Sequence, residues 1–238
     1  MSHGTRAREG LDRARGLPGE DRPVPIPVTK WRSALPDDAW PAGFPKSGHV
    51  WRRDVFDVAE RWRSGRSGAR QLLAATLMWT YGEQAGGRRR AVRALAGDPS
   101  GALLEAALQH VRTDRPRMVD LRAAYLALRT TSRLPELDSD TCTRLLYFAG
   151  YRRGVCGVQP LMLDEMIVRR LPRDSEVSSP ASRGSSLEWV RYLVWAAQAA
   201  EDTEPDRVEM DLAAGGARYG EGRNALKNWE ARGRHARR

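Results

Sequence analysis

Between Asp54 and Asp206 the apolar residues fall at helical spacing almost without a break, and no stretch alternates as a half-buried strand would. A chain patterned this way hides its apolar stripes by packing helix on helix, so the expected fold is all-α. Val55, Val58, Ala59 and Trp62 share one face of a helix over 54–63. Leu72, Leu73, Ala75, Thr76 and Trp79 do the same in the next segment, which stops near Gly82. A short basic helix follows over 89–95, and Asp98-Pro99 with a Ser100 cap opens another over 103–111. Further helices are expected over 118–128, 140–149, 165–171 and 187–200. Thr203-Glu204-Pro205-Asp206 is a capped start with proline in the first turn. The pattern amounts to nine or ten helices without an internal repeat.

The ends are different. Residues 1–48 hold seven of the 14 prolines, and the run Arg22-Pro23-Val24-Pro25-Ile26-Pro27-Val28 is expected to lie extended across the surface. Trp31, Trp40 and Trp51 are the residues suited to pinning such an arm. Lys227 to Arg238 carries five basic side chains against Glu230 and predicts a final helix fraying into a basic tail. The expected organisation is an arm over 1–48, a helical domain over 49–232 and a tail over 233–238.

Lys+Arg is 40 against 30 Asp+Glu, a formal net charge of +10, and lysine occurs only at Lys30, Lys46 and Lys227. Arginine keeps its charge and grips phosphate oxygens through a planar fork, which favours a polyanionic partner such as nucleic acid. Codon use in a GC-rich genome accounts for part of the same bias. No stretch nears the roughly 18 apolar residues of a membrane span, and Met1 to Arg6 leads into alternating charges with no secretory signal. Cys142 and Cys156 are too few for a disulfide scaffold, fit a reducing cytoplasm, and are most simply small buried residues. His3 and His235 are terminal, leaving His49 and His110 without a cluster, so neither a metal nor another cofactor is expected. These readings point to a monomer in the cytoplasm, associated with the nucleoid.

The familiar catalytic signatures are missing: there is no P-loop, no GxSxG, no HExxH and no strand followed by GxGxxG. The informative segment is Thr143-Arg144-Leu145-Leu146-Tyr147-Phe148-Ala149-Gly150, followed by Pro160-Leu161-Met162-Leu163-Asp164-Glu165-Met166-Ile167-Val168. It spells an apolar helix, a glycine-bearing turn and a second helix opening at Asp164. On pattern alone Asp164 is a helix cap, its carboxylate accepting backbone N–H groups.

The same residues resemble the 8-oxoguanine glycosylase-like branch of the helix-hairpin-helix DNA glycosylases. In that branch a Thr-Lys-x-Leu-Tyr-Phe-Ala helix precedes Pro-Leu-x-Leu-Asp. The close likeness runs from Thr141 to Leu171, and helix order agrees from Val50 to Ala214. The resemblance implies a helix-hairpin-helix glycosylase-like multi-helix domain that acts on DNA carrying a modified base. Asp164 would take the part of the family's essential aspartate, stabilising an oxocarbenium-like sugar and positioning or deprotonating a water. The target base must first be flipped from the stack.

Two departures from the family stand out. Where bifunctional members carry a lysine that forms a Schiff base, this chain has Arg144, and a guanidinium does not deprotonate in proteins. The expectation is hydrolytic base removal without lysine-dependent strand cleavage, with Arg144 holding a phosphate or the extruded nucleotide. The family's hairpin also carries a Gly-x-Gly turn that offers N–H groups to a DNA phosphate. The matching stretch here is read as Leu137-Asp138-Ser139-Asp140, with two carboxylates where an anion would sit.

Softer candidates complete the site. Arg152 and Arg153, between the two motif helices, and Arg88 and Arg89, beside Arg90 and Arg93, are candidate phosphate contacts; each also fits a solvated surface. Trp79 and Tyr81, ending one helix, and Trp189, opening a late one, are candidates to sandwich a flipped base, although all three equally fit core positions. Trp195 is read as core. The substrate is either an oxidised purine or, given the divergence, a bulky hypermodified base in phage DNA, which would make the protein antiviral. Two other classes fit the sequence: a catalytically silent DNA-binding protein on the same fold, and a helical interaction domain whose charge reflects codon use alone.

Overall fold

The helices start and stop where local signals place them, and the computed structural model shows what each one covers. Residues 23–45, 47–155, 157–172, 175, 177, 184–200 and 204–213 are described. The first 22 residues, Cys156, Thr203 and everything after residue 213, including the expected last helix and tail, lie outside them. Among the described residues ten α-helices follow in order: α1 Val28–Arg32, α2 Arg52–Arg63, α3 Ala69–Tyr81, α4 Ala85–Ala96, α5 Ala102–Leu108, α6 Met118–Arg129, α7 Ser139–Gly150, α8 Glu165–Arg170, α9 Ser186–Ala199 and α10 Pro205–Ala213. The fold is all-α, as the periodicity requires.

Helix α1 forms within the arm expected to be extended, starting just past Pro27 where the proline run ends, and three further features depart from expectation for physical reasons. Helix α4 begins at Ala85, running through Gly86 and Gly87, because Gly87 packs flat against Tyr81; a Cβ there would stand 2.2 Å from the Tyr81 Cβ. Helix α5 is opened by Gly101 at φ 77°, and Asp98 Oδ2, not Ser100 alone, takes the amide of Leu104 at 2.9 Å. Ser100 Oγ accepts only from Ala102 N, at 3.3 Å. The proline-rich run also makes a strand where none was expected. Val24–Pro25 (β1) pairs antiparallel with His49–Val50 (β2), Val24 opposite Val50, and proline is tolerated on so short an edge.

Residues 23–45 are built into the core and do not merely lie on it. Ile26, Trp31, Leu35, Ala39 and Phe44 are buried, and Trp31 Nε1 donates to the carbonyl of Gly82 at 2.8 Å. Gly82, at φ 51°, ends α3 and leaves room for Val24, whose Cγ1 would lie 2.6 Å from a Cβ at this position.

Helices α3 and α7 are central. Helix α3 buries Ala69, Arg70 and every residue from Leu72 to Met78, and α7 buries every residue from Thr141 to Gly150 except Arg144. A helix apolar nearly all round belongs inside the fold. Tyr147 and Phe148 meet Phe56 of α2 edge-on at 5.2 and 5.1 Å. Full burial of such rings stabilises the fold by about 1.5–3 kcal/mol each. Helix α9 packs on α6 and α10, and α10 in turn packs on α8. That places α7, α8, α9 and α10 around the segment that precedes Asp164.

Candidate active site

Helix α8 begins at Glu165 because Asp164 caps it: Asp164 is extended (φ −111°, ψ 177°) and its Oδ1 accepts from the amide of Ile167 at 3.0 Å. From the second turn of α7, Arg144 Nη2 donates to Asp164 Oδ2 at 2.8 Å. The two side chains remain 21% and 18% exposed, so the pair is open to water. Each carboxylate oxygen has two acceptor positions, so the cap and the ion pair leave one free on each.

The chain leading into Asp164 belongs to neither helix nor sheet, so its backbone groups need side-chain partners. Three helices supply them. Trp189 Nε1 (α9) donates to Leu161 O at 2.9 Å, Met162 N donates to Glu209 Oε2 (α10) at 3.1 Å, and Leu163 N donates to Thr143 Oγ1 (α7) at 3.0 Å. An amide left unpaired at this depth would cost about 1–3 kcal/mol.

Behind the segment lies a charged cluster. Arg52 Nη2 is 3.5 Å from Glu209 Oε1, Arg52 Nη1 donates to the Tyr147 hydroxyl at 3.0 Å, and that hydroxyl donates to Asp206 Oδ2 at 3.3 Å. Arg52, Asp206 and Glu209 are 6%, 1% and 2% exposed, so one guanidinium faces two carboxylates out of water. Burial pushes the Glu209 carboxyl up to about 7; Arg52 and the Met162 amide draw it down, while Asp206 and Asp164 add to the rise. Burial likewise carries the Tyr147 hydroxyl well above its usual range, with Arg52 pulling against it.

The remaining residues singled out by the sequence are dispersed. Arg152 is a clamp on the protein's own backbone, its guanidinium donating to the carbonyls of Ala149, Val111, Arg112 and Thr113 at 2.8–3.3 Å. Burial first, and Arg63 second, lower it to about 10. That engagement takes it away from a phosphate-binding role. Arg153 is exposed and lies over the Phe56 ring at 5.3 Å. Arg89 is exposed on α4, while Arg88 is half-buried, with Nη1 out of water and without a hydrogen-bond partner among the described residues. Trp79 is half-buried, edge-on to Phe148 at 5.2 Å and beneath the Arg52 guanidinium at 5.5 Å. Its indole N–H has no partner among the described residues. Tyr81 is half-buried, with its hydroxyl 3.5 Å from Thr141 Oγ1.

Trp189 is fully buried and stacked on Tyr125 at 5.2 Å. A ring so enclosed does not receive a base in this conformation; it holds Leu161 instead. Cys142 is buried, its thiol pushed up to about 12 by burial, which leaves it inert.

The hairpin lies one turn earlier than the sequence match placed it. Helix α6 ends at Arg129 and Ser139 already belongs to α7, so the turn occupies 130–138. Glu136 sits at φ 64°, and Asp138 Oδ1 caps α7 by accepting from Thr141 N at 2.8 Å. The carboxylates of the turn are therefore 136 and 138, and they are not bare. Arg93 Nε contacts Glu136 at 2.9 Å, and Arg90 lies 3.6 Å from Glu136 and 3.9 Å from Asp138.

Sequence reading missed Glu209, Thr143's role, Arg52 and Tyr147's hydroxyl. A signal existed for one of them: Glu209 recurs at helical spacing with Pro205 and Leu212, where an apolar residue would ordinarily stand. Among the described residues no group of three or more His, Cys, Asp or Glu side chains could hold a metal ion, and no helix is long and apolar enough to cross a membrane. A family model described as "Putative 8-oxoguanine DNA glycosylase OGG-like protein" matches residues 19–212, a span that contains Arg144, Asp164 and Glu209. No curated protein and no solved structure matches the chain.

Proposed function

The chain belongs to the family of 8-oxoguanine DNA glycosylase OGG-like proteins, and from that premise we propose that it removes a modified base from DNA by hydrolysis, with Asp164 as the catalytic carboxylate and no covalent enzyme–sugar intermediate. The observation that carries this reading is the Arg144–Asp164 pair, 2.8 Å apart at the start of α8. With Oδ1 held by the Ile167 amide and Oδ2 by Arg144, the plane of the carboxylate is set before substrate arrives. A free lone pair on either oxygen faces the developing sugar cation or takes a proton from the attacking water.

Arg144 supplies no nucleophile, because its guanidinium keeps its protons. Its charge serves the substrate instead. As a DNA phosphate approaches, Arg144 exchanges part of its contact with Asp164 for a phosphate oxygen, so less of the carboxylate's charge is offset as the sugar cation develops. Arg153, Arg89 and Arg88 are the remaining candidates for backbone contacts, and Trp79 and Tyr81 for base stacking. The substrate class is an oxidised purine or a bulky hypermodified base in phage DNA, the latter implying antiviral defence by a monomeric, cytoplasmic, nucleoid-associated protein.

One observation favours a second reading, a silent DNA binder on the same fold. The hairpin that docks phosphate in the family carries Glu136 and Asp138 here, and Asp138 already accepts from the Thr141 amide at the start of α7. Mass spectrometry of bases released from DNAs bearing 8-oxoguanine, uracil, alkylated bases or heavily modified phage cytosines decides between the two. Release by the wild type but not by Asp164→Asn is the expected result. DNA retained without release from any substrate would replace the glycosylase with the silent binder.

A further inference from the structure

We propose that Glu209 is a positioning residue for Asp164, acting through the backbone of Met162; as a statement about turnover it rests on the glycosylase reading above. The residues before Asp164 make no ladder of their own, and the amide of Met162 has its partner in Glu209 Oε2 at 3.1 Å. Met162 stands two residues before Asp164, about 7 Å of extended chain. A tie at that point sets the direction in which the chain enters α8 and therefore where the carboxylate of Asp164 points. Leu163 N on Thr143 and Leu161 O on Trp189 fix the neighbouring peptides, but both partners lie on helices other than α10. Glu209 couples the segment to α10 by a side-chain hydrogen bond and, through Arg52, to α2.

The cost of this device argues that it does more than satisfy one amide. A neutral glutamine or a backbone carbonyl would accept from Met162 equally well, yet the chain places a carboxylate 2% exposed in one buried cluster with Asp206, Arg52 lying 3.5 Å from Glu209 and reaching Asp206 through the Tyr147 hydroxyl. The bidentate use of Glu209, one oxygen for Met162 and the other for Arg52, cannot be reproduced by an amide, whose nitrogen donates and would face either another donor or the cation.

The test compares wild type with Glu209→Gln by two measurements. Amide hydrogen exchange over residues 161–167 is expected to accelerate about tenfold or more in the variant while residues 69–81 stay unchanged, since local opening and global unfolding are separable by exchange. On the substrate found by the base-release panel, kcat is expected to fall about 10- to 100-fold with KM within about twofold, the range expected when a reacting group is misplaced by about 1 Å. Glu209→Asp, which withdraws the carboxylate by one methylene, is read in the same way and serves if the glutamine variant does not fold. Unchanged exchange over 161–167, acceleration spread equally over 69–81, or an unchanged kcat would each overturn the proposal. A wild type that releases no base defeats the glycosylase reading instead, and exchange still decides whether Glu209 holds the segment.

Discussion

Helices α7 and α8 both open on an aspartate, and the two starts are built alike. Asp138 Oδ1 accepts from Thr141 N at 2.8 Å, and Asp164 Oδ1 from Ile167 N at 3.0 Å. In each, Oδ2 faces an arginine from elsewhere in the chain: Arg90 at 3.9 Å from Asp138, Arg144 at 2.8 Å from Asp164. What differs is the surroundings. The Asp138 side chain is 54% exposed and shares its arginine with Glu136, whereas Asp164 is 18% exposed, with a tight ion pair and a preceding segment held by α7, α9 and α10. Charge in a partly desolvated, preorganised setting acts far more strongly than the same charge in water. The local device is a cap in both places, and the catalytic role we propose belongs to the second.

The comparison breaks most sharply on turnover. Asparagine caps a helix as well as aspartate does, so Asp164→Asn and Asp138→Asn should both fold, and only Asp164→Asn should lose base release, by about 1,000-fold or more. Equal losses from the two variants, read by mass spectrometry of released base, would erase the distinction. The second effect concerns the arginine at each cap. Wild type should leave intact strands with alkali-labile abasic sites, while Arg144→Lys, whose amine can deprotonate, should yield a borohydride-trapped adduct that Arg90→Lys does not. An adduct in the wild type would defeat the hydrolytic mechanism.

Smaller effects sharpen the contrast from the hairpin side. Exposed ion pairs are worth about 0–1 kcal/mol, so Glu136→Gln frees Arg90 and Arg93 at little cost to the fold. Affinity for duplex DNA at low salt should rise about threefold to tenfold, with the slope of log K against log salt steeper by about one to two. An unchanged slope would show that this face never meets DNA.

A further effect concerns stability and pH. Burial carries the Glu209 carboxyl from 4.5 to about 7, with Arg52 and the Met162 amide opposing and Asp206 and Asp164 reinforcing the rise. A carboxyl raised in the folded state binds its proton more tightly there. Its stabilising contribution is thus complete below pH 4.5 and lost as pH climbs through about 7. Urea melts between these values should show the wild type losing stability with pH relative to Glu209→Gln. Parallel curves would remove Glu209 from the titration.

How far the sequence could be read depended on range. The helices of α2, α6, α7 and α8 were legible to within two residues because periodicity and caps act over three or four positions. The 20-residue separation of Arg144 and Asp164 was legible only through resemblance, and the fold brings their side chains to 2.8 Å. Trp189 and Arg152 show the opposite. An aromatic on a helix face carries the same pattern whether that face meets a cavity or Tyr125. A loop arginine looks solvated until carbonyls about 40 positions away, at 111–113, close around it.

The sequence by itself therefore determined the all-α class, the order of the helices from α2 onward and the capping role of Asp164, since each follows from contacts within one turn of chain. Only the tertiary structure decided that Asp138 remains a cap while Asp164 joins Arg144, that Trp189 supports Leu161 inside the core, and that Glu209 reaches both Met162 and Arg52. Arg52 and Glu209 are 157 residues apart in the chain. A buried charge so placed has a meaning only once packing has removed the water around it and delivered its partner.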